Sequence, residues 1–108
     1  MLEPVGVHRW NQKWGPLTED ALRARLAEGG FRVMRYVYPP GTFFPDHTHS
    51  IDKKDGVYSG RFRLRMLGEE HVLGPGDFIE VPAGIVHSAE VVGSEPVVSF
   101  DATRATRG

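Results

Sequence analysis

The sequence predicts an all-β domain, a sandwich or barrel of short strands with one short N-terminal helix in front of it. Three observations lead there. From Phe31 to Ala102 the chain runs as short apolar or alternating segments separated by Gly- and Pro-containing turns, the pattern of antiparallel strands. Only residues 17–30 carry helix signals. The 108 residues suffice for one core and are too few for two comfortable domains, and with no cysteine there is neither a disulfide nor a thiolate metal site to staple a smaller fold.

Taken in order, the arm up to Gly15 has no clear period but carries Trp10 and Trp14, which are expected to cover a sheet edge or to pack against a second subunit. In "PLTEDALRARLAEGG", Thr18 suits an N-cap, while Glu19 and Asp20 favour the positive end of the helix dipole. Leu17 and Leu22 have the spacing of a hydrophobic staple, and Gly29 or Gly30 suits the stop. Leu22 and Leu26 share one face, so this helix should lie on the outside of the β-structure. "FRVMRYVY" then reads as a strand ending at Pro39-Pro40-Gly41. "GVYSGRFRLRML" alternates, with Phe62, Leu64 and Met66 facing one way and Arg61, Arg63 and Arg65 the other. The arginines are expected outside, paired with Glu69 and Glu90. "HVL", "FIEVP", "HSAEVV" and "PVVSFDA" complete the strands. The expected organisation is an arm and helix over 1–30, the β-domain over 31–103 and a frayed tail over 104–108.

Net charge is −1, which gives no electrostatic reason to expect nucleic acid or an anionic membrane as partner. No apolar run reaches the ~18 residues of a span, and the N-terminus has no signal-peptide core. A cytoplasmic location is the expectation.

The chemistry lies in "GTFFPDHTHSIDKKDGVYSG", residues 41–60. On an extended chain His47 and His49 project to one face, and two converging imidazoles make half of a divalent-metal site or simply a polar surface. Of the other histidines, His87 follows the tight loop Pro82-Ala83-Gly84 and would enter its strand at a fixed angle. His71 is expected to face solvent, and His8 lies in the arm.

These stretches resemble the two motifs of the cupin superfamily. The first leads from Gly41 through five intervening residues to His47 and His49 and closes at Gly60; the second sets Gly76 before Pro82, Gly84 and His87. The resemblance implies a cupin-type double-stranded β-helix, or jelly-roll barrel, and a divalent metal ion (Zn, Fe, Ni or Mn) held by His47, His49 and His87. It further implies a small-molecule ligand or substrate, dioxygenase or isomerase chemistry among the commoner reactions, and a homodimer. The chain departs from the pattern twice. Val91 stands for the motif's asparagine, and the glutamate that usually serves as a fourth ligand falls on Lys53 or Lys54.

An ammonium pointed at a dication is repelled by several kcal/mol, on the order of 4 per unit charge at ~4 Å and an effective dielectric of 20. Three readings follow. Lys53 pairs with Asp52 or Asp55 and leaves a three-histidine site intact; or it binds an anionic ligand beside the metal; or it replaces the metal in a non-catalytic binding or sensor barrel. Phe43, Phe62, Leu64, Met66 and Phe100 are expected to line or fill the barrel. Tyr36, Tyr38 and Tyr58 offer phenols, with Tyr58 chosen among them as a catalytic candidate. Glu80 is the second such candidate, because it interrupts an apolar strand just before the Pro82 loop and would be an acid–base group if its face is inward.

Overall fold

The computed structural model describes residues 6–105, and the expected all-β architecture with one helix is what it shows. The helix α1 (Glu19–Ala27) begins as anticipated: Thr18 Oγ1 accepts the Ala21 N–H at 3.0 Å. It ends before Gly29, whose φ of +84° few side-chain-bearing residues adopt. Strands β1 (Val7–His8), β2 (Arg32–Tyr38), β4 (Asp52–Ser59), β7 (Phe78–Val81) and β9 (Val97–Arg104) form a five-stranded sheet in the order β1-β7-β4-β9-β2. Strands β3 (Phe43–His47), β5 (Arg61–Met66), β6 (Glu69–Leu73) and β8 (His87–Val92) form a four-stranded sheet in the order β3-β8-β5-β6. The strand pairs are antiparallel.

The alternating stretch around residues 56–67 is two strands in different sheets. Gly60 turns the chain between them: its φ is +85°, and a Cβ there would sit 2.4 Å from the Pro96 carbonyl oxygen. The arm joins the barrel, since Val7 pairs with Ile79 at the sheet edge. Trp10 packs on the Gly76 turn and edge-on to Trp14, whose ring lies under the Arg25 guanidinium, so both tryptophans pack against their own chain. Arg104, expected in the tail, still belongs to β9, opposite Asp52; residues 106–108 lie outside the described part.

Period-two alternation divides each strand of the larger sheet between two cores. Val57, Ile79, Val81 and Val97 point inward and meet Phe62, Leu64, Met66, Leu73, Ala89 and Val91 of the other sheet. Phe78, Phe100 and Ala102 point outward beneath Leu22 and Leu26 of the helix. Those two leucines are fully buried, worth about 2–3 kcal/mol each by area. Gly56 makes the seat, because a Cβ there would be 2.7 Å from Leu26 Cδ1. On the outside of the four-stranded sheet the arginines pair with Glu90 (Arg63, 2.8 Å) and Glu70 (Arg65, 3.0 Å), rather than with Glu69. His71 sits opposite Leu64 and is largely buried, with Nε2 3.8 Å from Glu69, which corrects its expected exposure.

Candidate metal centre

The same alternation sends Lys53 and Lys54 to opposite sides of the sheet. Lys54 faces the helix, where Nζ donates to the carbonyls of Glu28 (2.9 Å) and Leu26 (3.3 Å) and lies 4.2 Å from the centre of the Phe31 ring. It therefore secures the negative C-terminal end of α1. Lys53 faces inward, into a cavity of about 200 Å³ lined by the three histidines, Tyr38, Phe44, Phe62, Asp55 and Asp101.

The histidines meet as the motif spacing suggests, though only two stand on strands. His47 ends β3 and pairs directly with His87, the first residue of β8. His49 lies in the loop beyond, where its carbonyl accepts the Gly84 N–H at 2.9 Å. Asp52 Oδ1 accepts the Ala83 N–H at 3.1 Å, so the loop carrying His49 is stitched to the turn that precedes His87. Ring centroids are 4.2 Å apart for His47 and His87, 4.8 Å for His47 and His49, and 5.2 Å for His49 and His87.

Their nitrogens fit a metal. His47 Nδ1 is 2.6 Å from the Pro45 carbonyl and His87 Nδ1 is 3.0 Å from that of Ile85. A carbonyl can only accept, so each Nδ1 carries the proton and each Nε2 keeps its lone pair. His49 Nε2 is buried without a hydrogen-bond partner, an orphan that a cation would satisfy. One ligand atom from each ring lies within 4.8 Å of the others. Bonds of about 2.1 Å would bring the nitrogens to roughly 3–3.5 Å, a closure within reach of small ring movements. Burial holds His49 and His87 below the ordinary imidazole range, with Lys53 adding to the effect at His49 and His47 adding to it at both. Both are therefore unprotonated, as ligands must be, at neutral pH.

Lys53 Nζ lies 3.3 Å from Asp101 and 3.5 Å from Asp55. Burial alone would lower its pKa, but the two carboxylates outweigh that and raise it. Asp101 is pushed up to about 6 by burial and by Asp55, against the pull of Lys53. Asp52, the other expected partner of Lys53, turns to Arg104 instead, at 3.7 Å.

The two catalytic candidates do not reach this cavity. Glu80 and Tyr58 stand on the helix-facing side of the sheet, in step with Phe78 and Lys54; Tyr58 packs against the outer core and Glu80 is exposed. Tyr38 is the tyrosine that lines the cavity. Phe44 takes the place expected of Phe43, which is exposed, and Phe100 belongs to the outer core. Asp101 was not singled out by sequence reasoning, although "VVSFDA" places it two residues beyond Ser99 on the inward register of β9. A hollow of about 890 Å³ past Phe43, Arg65 and Glu70 is larger, but it contains no histidine.

Comparison with curated protein sequences returns no match. Solved structures with this fold include DMSP lyase DddQ from Ruegeria pomeroyi, 24% identical with a TM-score of 0.63 over 69% of this chain and 38% of that one. The cupin domain of Cnp3 from Schizosaccharomyces pombe is 16% identical, with a TM-score of 0.65 over 73% of this chain and 58% of that one. Salicylate 1,2-dioxygenase from Pseudoaminobacter salicylatoxidans is 20% identical, with a TM-score of 0.60 over 68% of this chain and 20% of that one. This chain thus spans less than two thirds of each of these proteins, and the likeness is one of fold. A family model described as the cupin domain matches residues 34–103, which contain both histidine motifs, and the chain belongs to the cupin family.

Proposed function

We propose that the cavity is a divalent-metal centre with His47, His49 and His87 as ligands, at which the protein binds and transforms a small molecule. The observation that carries this reading is the convergence of three imidazoles, two of them fixed in tautomer by backbone carbonyls and the third, His49, with its Nε2 buried and unpartnered. A bound dication would supply Lewis acidity to an oxygen donor of the substrate. The chain supplies the rest. Phe44 and Phe62 give one apolar wall, and Tyr38, whose pKa burial raises, keeps its proton and offers a neutral donor. A cavity of about 200 Å³ suits a molecule of roughly one ring, given that a ~150 Å³ cavity holds benzene.

The fold is shared with a dioxygenase and with a lyase, so architecture alone leaves the reaction type open among oxygenation, isomerisation and elimination. The metal-free alternative, with Lys53 gripping an anionic ligand, needs an uncommitted ammonium; Lys53 already faces two carboxylates.

Elemental analysis of the purified, untagged protein beside a His47→Ala/His49→Ala double variant tests the reading. Close to one equivalent of metal in the parent and little in the variant is the expected result. No metal in the parent after incubation with Zn²⁺, Fe²⁺, Ni²⁺ and Mn²⁺ would refute it.

A further inference from the structure

Asp55 of β4 and Asp101 of β9 are directly opposed in the strand register, on the inward face, in the wall of the histidine cavity. Like charges in such a cross-strand pair are destabilising, and burial makes them more so. Asp55 is 5% exposed, and its Oδ1 is buried without a hydrogen-bond partner, 3.5 Å from Lys53 Nζ. Two carboxylates share one ammonium. The cavity thus holds an excess of negative charge opposite the three imidazoles, and apolar packing would have filled the same positions at less cost.

That excess has the sign and the place that suit a dication. Three imidazoles neutralise none of a metal's two charges, and Lys53 adds a third. Among the described residues the histidines alone form the group of possible ligand atoms within 4.8 Å of one another, and the carboxylates lie outside it. They act across space.

We propose that Asp55 and Asp101 are the counter-charge of the metal centre, placed outside its ligand set, and that Lys53 holds the pair together when no cation is present. The inference rests on the metal reading above. With both carboxylates ionised and Lys53 charged, the loaded cavity carries one net positive charge; with one carboxylate removed it carries two. The upward push on Asp101 agrees with this, since the metal-free cavity resists the second negative charge that a dication would welcome. The groups around Asp101 are Lys53 and Asp55 on β4, Tyr38 on β2, Ser99 on its own strand, and the histidines from β3, its following loop and β8. Among these cavity-lining groups, no cation other than Lys53 competes for the role.

The test is Zn²⁺ affinity of the full chain, measured by competition with a chromophoric chelator near neutral pH. The variants are Asp101→Asn, Asp55→Asn, Lys53→Met and Lys53→Gln. A unit charge about 8 Å from a dication is worth roughly 2 kcal/mol at an effective dielectric of ~40, more than one factor of ten. Each asparagine variant should therefore bind at least tenfold more weakly, and each Lys53 variant severalfold more tightly, at unchanged stoichiometry. Loss of packing alone would weaken all four alike, so the opposite signs identify a charge effect. Thermal melts of the metal-free variants show which have folded, and the paired substitutions at Lys53 and across the aspartates keep the test decisive if one has not. Asparagine variants within twofold of a metal-binding parent would overturn this inference alone. A parent that takes up none of Zn²⁺, Fe²⁺, Ni²⁺ and Mn²⁺ would overturn the metal reading, and this inference with it.

Discussion

Replacing Asp101 with asparagine should stabilise the metal-free protein, and increasingly so as pH rises. Asp101 is raised from 3.8 to about 6, a difference of roughly two units at 1.36 kcal/mol each. A carboxyl whose folded-state pKa lies above its unfolded value contributes stability that is fully present below the unfolded value. That contribution is lost as pH climbs through the folded one, here between 3.8 and about 6. By linkage the ionised side chain costs the fold about 3 kcal/mol near pH 7.5 and about 1 kcal/mol near pH 4.5. Asparagine keeps the shape and never ionises. The advantage of the variant over the parent should therefore grow by about 2 kcal/mol between those conditions. Urea denaturation of both proteins at the two pH values, with chelator present, measures it. A difference between parent and variant that does not change with pH would show that Asp101 is ionised in the metal-free cavity at no cost, and would refute the reasoning.

Four further outcomes follow. Lys54→Met should destabilise the protein by about 1–3 kcal/mol, because two helix-terminal carbonyls lose a charged donor, while metal content stays that of the parent; denaturation and elemental analysis read the two effects separately. Gly56→Ala should cost about 1–3 kcal/mol, since the new methyl would meet Leu26 Cδ1 at 2.7 Å and lift the helix; a lowered urea midpoint would show it. Stripping the metal with chelator should lower the melting temperature, by the equivalent of about 2.7 kcal/mol for a protein previously held at a hundredfold excess over Kd. Because burial keeps His49 and His87 below the ordinary imidazole range, retained metal measured after dialysis should persist to lower pH than a free imidazole (~6.5) would allow.

The strands were legible because alternation and turn residues are local. Thr18, the leucine spacing and Gly29 likewise marked the helix within a turn at either end. The three histidines were legible as a set only through motif spacing, since nothing local says that β3 and β8 are neighbours. What stayed hidden was which face of each strand is inward. Tyr58 and Glu80 share their register with Gly56 and Phe78, and Gly56 is the residue on which the helix sits. In a sheet packed on both sides the two faces are equally apolar, and alternation fixes the period but not the phase. The same ambiguity hid Asp101, and with it the reason that a lysine is tolerated beside three converging histidines.

The two bonds that tie Gly84 to His49 and Ala83 to Asp52 join segments more than thirty residues apart, across the seam where β7 meets β4. His49 is on no strand and is oriented by that seam. A complete set of three nitrogens therefore exists only after the distant strands have paired, and long-range pairing is the slow part of folding a β-protein. An ion that requires all three has little to hold in the unfolded chain or in a half-formed barrel. Its stabilisation should consequently appear as slower unfolding, with the rate of folding almost unchanged. The loaded protein would then owe its durability to a kinetic lock: before the ion can leave, the seam has to open.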